Sequence, residues 1–358
     1  IIKNKQEVLR KPLAETDKKA DKVELTNTQK SAIEQINNSD KCVVLLHGVT
    51  GSGKTEVYMS LIENALKSGK TAIALVPEIS LTPQILRVFR SRFGDDIAML
   101  HSGLSDGERY DEWRRIYDGD AKIVVGARSA IFAPLENLGI IIIDEEHDSS
   151  YISESNPRFR TLEVAEFRAK YNNCKVVLGS ATPSVESYNN ARLNKIGLAE
   201  MKQRISKNGM PQIQIVDMAQ ELRTGNFSVF SMEFQQKLKD AVKNGNQAMV
   251  FINRRGYASY MQCKSCGYIA KCTDCDIALT YHKEDNMLKC HYCGKRFKPL
   301  DICPNCHSES IKQGKIGTEK VVRELQNLLG EDVKILRMDN DTTTTKTAYL
   351  DILGAFRR

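Results

Sequence analysis

Short apolar runs alternate with amphipathic stretches between residues 23 and 205. Each run is the length of a strand buried on both faces, and the runs fall at residues 42–47, 71–76, 96–100, 122–125, 139–143 and 175–178. The stretches between them repeat apolar positions at helical spacing, as in Val57, Tyr58, Leu61, Ile62 and Ala65. Strands that alternate with helices predict a doubly wound parallel sheet, so the first lobe is expected to be α/β.

The same alternation returns after residue 205 but is interrupted. We predict a second α/β unit whose first part is 206–260 and whose continuation is 310–358. Its elements are two helices and two strands, expected at 231–243, 247–253, 318–329 and 333–337. Residues 261–309 form an insert of different composition. Residues 1–22 are charged and unpatterned, which is typical of a linker or the tail of a preceding domain.

Composition adds little to this outline. The net charge of +7 over 358 residues favours an anionic partner only weakly, since many soluble enzymes carry as much. No apolar run reaches the roughly 18 residues that a membrane-spanning helix needs, so no membrane role is expected. The ten cysteines, with no secretory segment, indicate a reducing cytoplasm.

Eight of the ten cysteines form Cys-x-x-Cys pairs inside the insert. The pairs are Cys263/Cys266, Cys272/Cys275, Cys290/Cys293 and Cys303/Cys306. Two pairs complete a tetrahedral sulfur site, so eight ligands suit two zinc ions; disulfides or a redox motif fit this context less well. Four sulfurs per ion leave no open coordination position, which indicates structural zinc. His282, His291 and His307 are therefore not expected to be zinc ligands. The spacing alone permits consecutive or nested pairing.

A phosphate-binding loop follows the first apolar run. Residues 48–55 read Gly-Val-Thr-Gly-Ser-Gly-Lys-Thr between a predicted strand and a predicted helix. Glycines let backbone N–H groups surround phosphate oxygens, and the new helix presents its positive end to them. Lys54 is placed to reach the β- and γ-phosphates of ATP, and the Thr55 hydroxyl to hold Mg²⁺. The expected nucleotide-binding residues of this loop are Gly48, Gly51, Ser52, Gly53, Lys54 and Thr55.

Acidic residues end another buried run. Asp144 and Glu145 follow Ile140 to Ile143, where the carboxyl ends of parallel strands form a ligand-binding edge. Asp144 is predicted to support Mg²⁺, and Glu145 to polarise the attacking water. The run at 175–178 ends in Gly-Ser-Ala-Thr-Pro, so a third polar strand end is expected at the same edge.

These motifs, in this order, resemble motifs I, II and III of superfamily 2 helicases. Further segments resemble the PriA family of primosomal replication-restart helicases, and they lie at residues 75–84, 101–105, 126–132, 251–257, 317–320 and 337–343, together with the cysteine insert. The resemblance extends over roughly residues 24–358. It implies two RecA-like lobes, the second incomplete, with an inserted zinc-binding module in which the cysteine pairs are nested.

The resemblance also implies a function and further site residues. The expected activity is ATP-dependent 3′→5′ unwinding of forked or single-stranded DNA, with primosome and single-strand-binding proteins as partners. Gln29 would read adenine, and the groove-lining residues would be Pro83, Gln84, Arg128 and Ser129. Tyr151 and Phe159 flank a loop that in the family is aromatic-rich and couples DNA contact to hydrolysis. Residues Ile152, Ser153 and Arg160 to Leu162 depart from the family pattern there.

Other interpretations of the function stay open. One is a DNA-stimulated ATPase or translocase that does not unwind, and another is a zinc-bearing scaffold that recognises forks and recruits replication proteins. The chain ends before the family's motifs V and VI, so weak activity of this chain alone is expected. Outside the sites, Trp113 on an amphipathic helix is predicted to pack in the core, as are Cys42 and Cys174.

Overall fold

The computed structural model describes most of the chain in two compact units, Ile1–Met210 and Pro211–Arg358. The described residues are 24–77, 83–154, 156–206, 209–252, 260–263, 265–282, 286–314, 318–338, 342 and 348–356. The predicted linker at 1–22 and the motif residues Arg254, Arg255 and Gly256 lie outside them. The side chains of Pro83 and Gln84 lie outside the description too, so their predicted place in a DNA groove stays a prediction.

Unit 1 is built on a seven-stranded parallel sheet. Its strands are β1 (Val43–Gly48), β2 (Thr71–Leu75), β3 (Ile97–Leu100), β4 (Ile123–Gly126), β5 (Leu138–Asp144), β6 (Lys175–Ser180) and β7 (Gly197–Met201). Their order in the sheet is β3-β4-β2-β5-β6-β1-β7. Each of the six apolar runs forms a strand because its side chains are covered on both faces of the sheet. The predicted doubly wound α/β lobe is confirmed.

Helices cover both faces of this sheet. They are α1 (Asn27–Asn38), α2 (Lys54–Lys67), α3 (Pro83–Phe93), α4 (Asp106–Tyr117), α5 (Thr161–Asn172) and α6 (Val185–Arg192). Side chains of α1, α2 and α3 join one apolar cluster, and side chains of α4, α5 and α6 join a second cluster on the other face. None of the helices within the described ranges is long and apolar enough to cross a membrane.

Helix α4 does not bury its tryptophan. Trp113 is 43 % exposed, and its ring stacks on that of Tyr117 with centroids 5.2 Å apart. The core contact of this helix is made by Ile116, which is 2 % exposed. The prediction that Trp113 packs in the core is therefore wrong. The predicted helix is present, but Trp113 lies outside the buried face of that helix. Its apolar contact is the ring of Tyr117, one helical turn later.

Unit 2 keeps the predicted helices but not the predicted strands. Its helices are α7 (Met218–Arg223), α8 (Met232–Lys243), α9 (Thr318–Leu329) and α10 (Ala348–Phe356). Residues 247–252 and 333–337 form no strand, so those two predictions are wrong. Val250, Ile252 and Ile335 still pack against a small core of Leu238, Val321 and Leu325. The apolar pattern thus predicted burial, but strand structure also requires a hydrogen-bonded neighbour.

The cysteine insert forms two small antiparallel sheets. Strands β8 (Tyr260–Cys263) and β12 (Ile311–Gly314) pair at its base, and the distal sheet contains β9 (Thr280–His282), β10 (Met287–Lys289) and β11 (Arg296–Phe297). Cys263 and Ile311 are direct partners, as are Tyr260 and Gly314. Apolar side chains and cysteines share one core in this module.

Candidate nucleotide site and metal centres

The phosphate-binding loop lies between the end of β1 and the start of α2. Gly51 and Gly53 both have φ +79°, a left-handed conformation that side chains rarely adopt. A Cβ on Gly53 would lie 2.4 Å from the side-chain nitrogen of Gln29, and one on Gly48 would lie 2.8 Å from Ser52 Oγ. The glycines are therefore required both by backbone conformation and by close packing around the loop.

The polar groups of this loop suit a phosphate. Lys54 Nζ donates to the Gly48 carbonyl at 3.0 Å, so the ammonium group lies across the loop. Ser52 is 2 % exposed, and its hydroxyl has no hydrogen-bond partner among the described residues. A buried hydroxyl without a partner is costly unless a ligand supplies one. Together with the positive end of α2, these donors fit an anionic ligand such as the phosphates of ATP.

Gln29 is held by the protein itself. Its side-chain oxygen accepts from the Thr26 backbone at 2.8 Å in a capping box that begins α1, and its side-chain nitrogen donates to the Gly53 carbonyl at 3.2 Å. The side chain is 2 % exposed. Gln29 thus connects the start of α1 to the phosphate-binding loop. Recognition of adenine by Gln29 stays a prediction.

Asp144 lies at the same edge of the sheet as the loop. Strand β6 separates β5 from β1, with Asp144 opposite Gly179 and Ser180 opposite His47. Thr55 and Asp144 line a common cavity of about 340 Å³. A hydroxyl and a carboxylate in one cavity are suitable ligands for Mg²⁺. Burial raises the pKa of Asp144, although the hydrogen bond from Tyr58 and the charge of Lys54 oppose that shift.

Glu145 adopts an unusual backbone conformation beside Asp144. Its φ is +46°, in the left-handed region that non-glycine residues rarely occupy. Burial and then the neighbouring charge of Asp144 raise the pKa of its carboxyl. A raised pKa increases the basicity of the carboxylate, and backbone strain of this kind concentrates at functional sites. The geometry is consistent with Glu145 as a base that polarises water.

The next two residues join the acidic motif to the end of β6. His147 Nδ1 lies 2.9 Å from Ser180 Oγ, so these two side chains share a hydrogen bond. The Glu146 carboxylate accepts from the Ser184 backbone at 2.7 Å and from the Ser184 and Ser187 hydroxyls at 3.1 and 3.0 Å. Glu146 thereby fixes the start of α6 to the acidic motif.

We expect Glu146→Ala to destabilise unit 1. The change leaves the Ser184 backbone N–H and two hydroxyls without their charged acceptor, and hydrogen bonds to charged groups contribute about 1.5–3 kcal/mol. Trp113 is the chain's single tryptophan and lies in unit 1, so its fluorescence during urea unfolding reports that unit. Glu136→Ala, which removes an exposed carboxylate, is the control. Equal urea midpoints for the two variants would contradict the role of Glu146.

The loop after the acidic motif differs from the prediction. Tyr151 is 5 % exposed and its hydroxyl donates to the Asp144 carbonyl at 2.7 Å, so its ring is not available to stack on a base. Phe159 is half-buried against the second apolar cluster and contacts Phe132 edge-on. Arg128 donates to the carbonyls of Ser150 and Ile152 at 3.2 and 2.8 Å. Arg128 therefore binds the backbone on both sides of Tyr151, and in the Phe132–Phe159 contact the exposed ring is that of Phe132.

The eight paired cysteines form two clusters in a nested arrangement. The outer cluster is Cys263, Cys266, Cys303 and Cys306, the inner one is Cys272, Cys275, Cys290 and Cys293, and within each the sulfurs lie within 4.8 Å of one another. Across the pairs, Sγ–Sγ distances are 3.6 to 3.7 Å. Tetrahedral zinc, with Zn–S of about 2.3 Å, places its sulfurs about 3.8 Å apart. Both clusters therefore fit zinc.

All four cysteine pairs share one turn. In each turn the backbone N–H of the residue four positions after the first cysteine donates to that cysteine's carbonyl. The residue at that position has positive φ in every case, and the four are Gly267, Asp276, Gly294 and His307. His307 thus has a backbone role, and neither cluster includes a histidine. In the outer cluster, the Asn305 side chain donates to Cys266 Sγ and is the main cause that lowers the pKa of that thiol to about 6.

Two site residues were not singled out from the sequence. Tyr58 was assigned only to the apolar face of α2, yet its hydroxyl donates to Asp144 Oδ1 at 2.8 Å. Glu146 has no role predicted from the sequence. The available signal for Tyr58 was chemical, since a buried tyrosine hydroxyl normally has a hydrogen-bond partner. Nothing in the sequence around Glu146 indicates that its carboxylate binds the start of α6.

Residues 26–191 match the DEAD/DEAH box helicase family, and residues 272–297 match the PriA DNA helicase Cys-rich region domain. Unit 1 is therefore a RecA-like lobe of the helicase class. Replication restart protein PriA of Bacillus subtilis (strain 168) is 49 % identical over 98 % of this chain and 44 % of its own length. That of Synechocystis is 43 % identical over 94 % of this chain and 41 % of its own length. The chain belongs to the PriA family and spans less than half the length of these relatives.

A solved structure of RecG bound to a three-way DNA junction is also similar. It is 24 % identical, covers 62 % of this chain and 28 % of its own, and has a TM-score of 0.42. A DEAD box protein from Methanococcus jannaschii is 25 % identical, covers half of each chain and has a TM-score of 0.36.

Proposed function

We propose that this chain is the core of an ATP-dependent 3′→5′ DNA helicase that acts at stalled forks in replication restart. The observation that carries the proposal is the meeting of the phosphate-binding loop and the acidic motif at one edge of the sheet, in a member of the PriA family. Forked or single-stranded DNA would be the substrate. Primosome and single-strand-binding proteins would be the partners, in the cytoplasm.

The site residues have distinct roles in this proposal. Lys54 and the backbone N–H groups of Gly51 to Gly53 would bind the phosphates of ATP, with Ser52 Oγ as a further donor. Thr55 and Asp144 would hold Mg²⁺, which neutralises phosphate charge when it is bound. The Glu145 carboxylate would accept a hydrogen bond from the attacking water and so polarise it. Hydrolysis would drive movement along one strand, while two structural Zn²⁺ ions in the cysteine clusters would maintain the inserted module.

Two other functions are compatible with the same site. A translocase would hydrolyse ATP on DNA without separating strands. A fork-recognition scaffold would use the zinc module to recruit replication proteins and would not need hydrolysis. The intact set of Lys54, Asp144 and Glu145 favours an enzyme over a scaffold, because a scaffold has no use for a hydrolytic carboxylate next to a phosphate-binding loop.

Strand displacement on defined forks tests the proposal. A protein of the relatives' full length should unwind a duplex with a 3′ single-stranded tail, and its ATPase should rise when DNA is added. Residues 1–358 alone should hydrolyse ATP weakly. Lys54→Ala should abolish both activities and is the negative control. DNA-stimulated ATPase without strand displacement would favour the translocase, and neither activity in the full-length protein would favour the scaffold.

A further inference from the structure

Tyr58 places a buried hydroxyl against the acidic motif. It lies on α2, one turn after Thr55, and it is 2 % exposed. Its hydroxyl is 2.8 Å from Asp144 Oδ1. Because an ionised carboxylate can only accept, the hydroxyl donates.

The sheet leaves a space for this hydroxyl. Gly179 is the partner of Asp144 on the neighbouring strand β6. A Cβ on Gly179 would lie 1.7 Å from the Tyr58 hydroxyl oxygen, a separation that no packed structure allows. Glycine at this position is thus required for the hydroxyl to reach the carboxylate. Three elements converge on the contact: the helix after the phosphate-binding loop, the acidic strand, and the strand that leads to Ser180.

A second tyrosine holds the other part of the same residue. The Tyr151 hydroxyl donates to the backbone carbonyl of Asp144 at 2.7 Å. Tyr151 therefore fixes the main chain, whereas Tyr58 fixes the side chain through one carboxylate oxygen. Asp144 lines the cavity that Thr55 and Tyr58 also line, and only Oδ1 of its carboxylate is bonded to Tyr58. A carboxylate with one oxygen fixed loses rotational freedom before a cation arrives, which favours binding.

We propose that Tyr58 is a positioning residue for the Mg²⁺ site, where its hydroxyl orients the Asp144 carboxylate toward the cation. The inference rests on the proposed nucleotide function and deepens it. Groups that orient a metal ligand from behind typically change metal affinity by about 10–100-fold when they are removed. Tyr58 would act on the cation through the Asp144 carboxylate and not as a ligand itself. Its contribution should therefore be visible in the affinity for the cation and absent from the affinity for nucleotide alone.

The test is Mn²⁺ binding to the purified chain in the presence of ADP, followed by electron paramagnetic resonance. Tyr58→Phe keeps the buried ring and removes only the hydroxyl, and it should weaken Mn²⁺ binding about tenfold. Binding of a fluorescent ADP analogue in chelator should be unchanged. Tyr117→Phe removes the same atom from an exposed ring outside the site and should match the parent in both measurements.

The Mn²⁺ and ADP affinities of the parent and of Tyr58→Phe distinguish four cases. Equal Mn²⁺ affinity in parent and Tyr58→Phe would overturn the role of Tyr58 and leave the nucleotide function standing. A variant that also loses metal-free ADP binding would assign Tyr58 to packing of the loop, which overturns the inference. A parent that binds no Mn²⁺ with ADP would overturn the nucleotide function and this inference with it. Only selective loss of cation affinity supports the proposal.

Discussion

Replacing Glu145 with Gln is expected to abolish ATP hydrolysis while ATP and Mg²⁺ still bind. Glutamine has nearly the same shape as glutamate but cannot accept a proton from water, and loss of a general base typically lowers rates by about 10²–10⁴-fold. Asp144 and Lys54 are unchanged, so the ligands for cation and phosphate remain. Lys54→Ala should abolish turnover for a different reason, because it removes the cation that faces the transferred phosphate.

The measurement is steady-state ATPase on single-stranded DNA with a protein of the relatives' full length, and nucleotide binding is followed separately. Glu136→Gln, an exposed carboxylate outside the site, should keep the parent rate. The rate of the parent should fall as the pH is lowered through the pKa of Glu145, because only the ionised carboxylate polarises water. Burial raises the pKa of Glu145, so the apparent pKa of this acid limb should lie above 4.5, the usual glutamate value. Turnover by Glu145→Gln at the parent rate would remove Glu145 from its assigned role.

The six predicted strands of unit 1, and the position of the phosphate-binding loop and the acidic motif at one edge of the sheet, could be predicted from the sequence because each depends on local pattern. Buried parallel strands are continuous apolar runs, and such a run before a glycine-rich loop specifies where the loop lies on the sheet. The bonds among site residues could not be predicted in this way. Tyr58 and Asp144 are far apart in sequence, and their contact depends on strand order and on the space at Gly179.

The errors share a physical cause. Trp113 was predicted to pack in the core because it lies on an amphipathic helix, and Tyr151 was linked to DNA contact through the family resemblance. In the structure the tryptophan is exposed and the tyrosine is buried. The Tyr151 hydroxyl has a backbone carbonyl to bind, and the Trp113 ring stacks on Tyr117. Both outcomes depend on partners that sequence periodicity does not specify. The strands predicted in unit 2 failed for the same reason, since apolar character does not supply a hydrogen-bonded neighbour.

The second large expected effect is the loss of zinc when a cysteine of one cluster is replaced. Metal analysis of the purified chain is expected to find two zinc ions, and Cys290→Ser should release one. In the nested arrangement that loss should expose Cys272, Cys275 and Cys293 to alkylation and leave the outer cluster protected. Structural zinc contributes about 10–16 kcal/mol of apparent binding free energy in small domains. Full chelation should therefore unfold residues 261–309, while nucleotide binding at Lys54 persists.

The control is Cys42→Ser, which changes a half-buried cysteine outside both clusters and should keep two zinc ions. Cys174 should stay unreactive in the native protein, since burial raises the pKa of its thiol to about 11 and reduces the thiolate fraction. Alkylation of Cys303 and Cys306 in Cys290→Ser would contradict the nested clusters. A single zinc ion in the parent would contradict the pair of structural sites altogether.

The paired strands at the base of the zinc module have a consequence for how such a module can vary. Tyr260 lies directly opposite Gly314, so the chain returns from the module at a point one strand spacing from where it departed. Apart from the close approach of Gly267 to Ala219 and Leu222, the module therefore joins the rest of unit 2 as a hairpin loop joins its two strands. The entropic cost of closing a loop depends only weakly on loop length. Residues can therefore be gained or lost beyond the paired strands β8 and β12 with little effect on the stability of the rest of unit 2. The paired strands thus allow the module to change in length without moving the two chain ends that join it to the rest of unit 2.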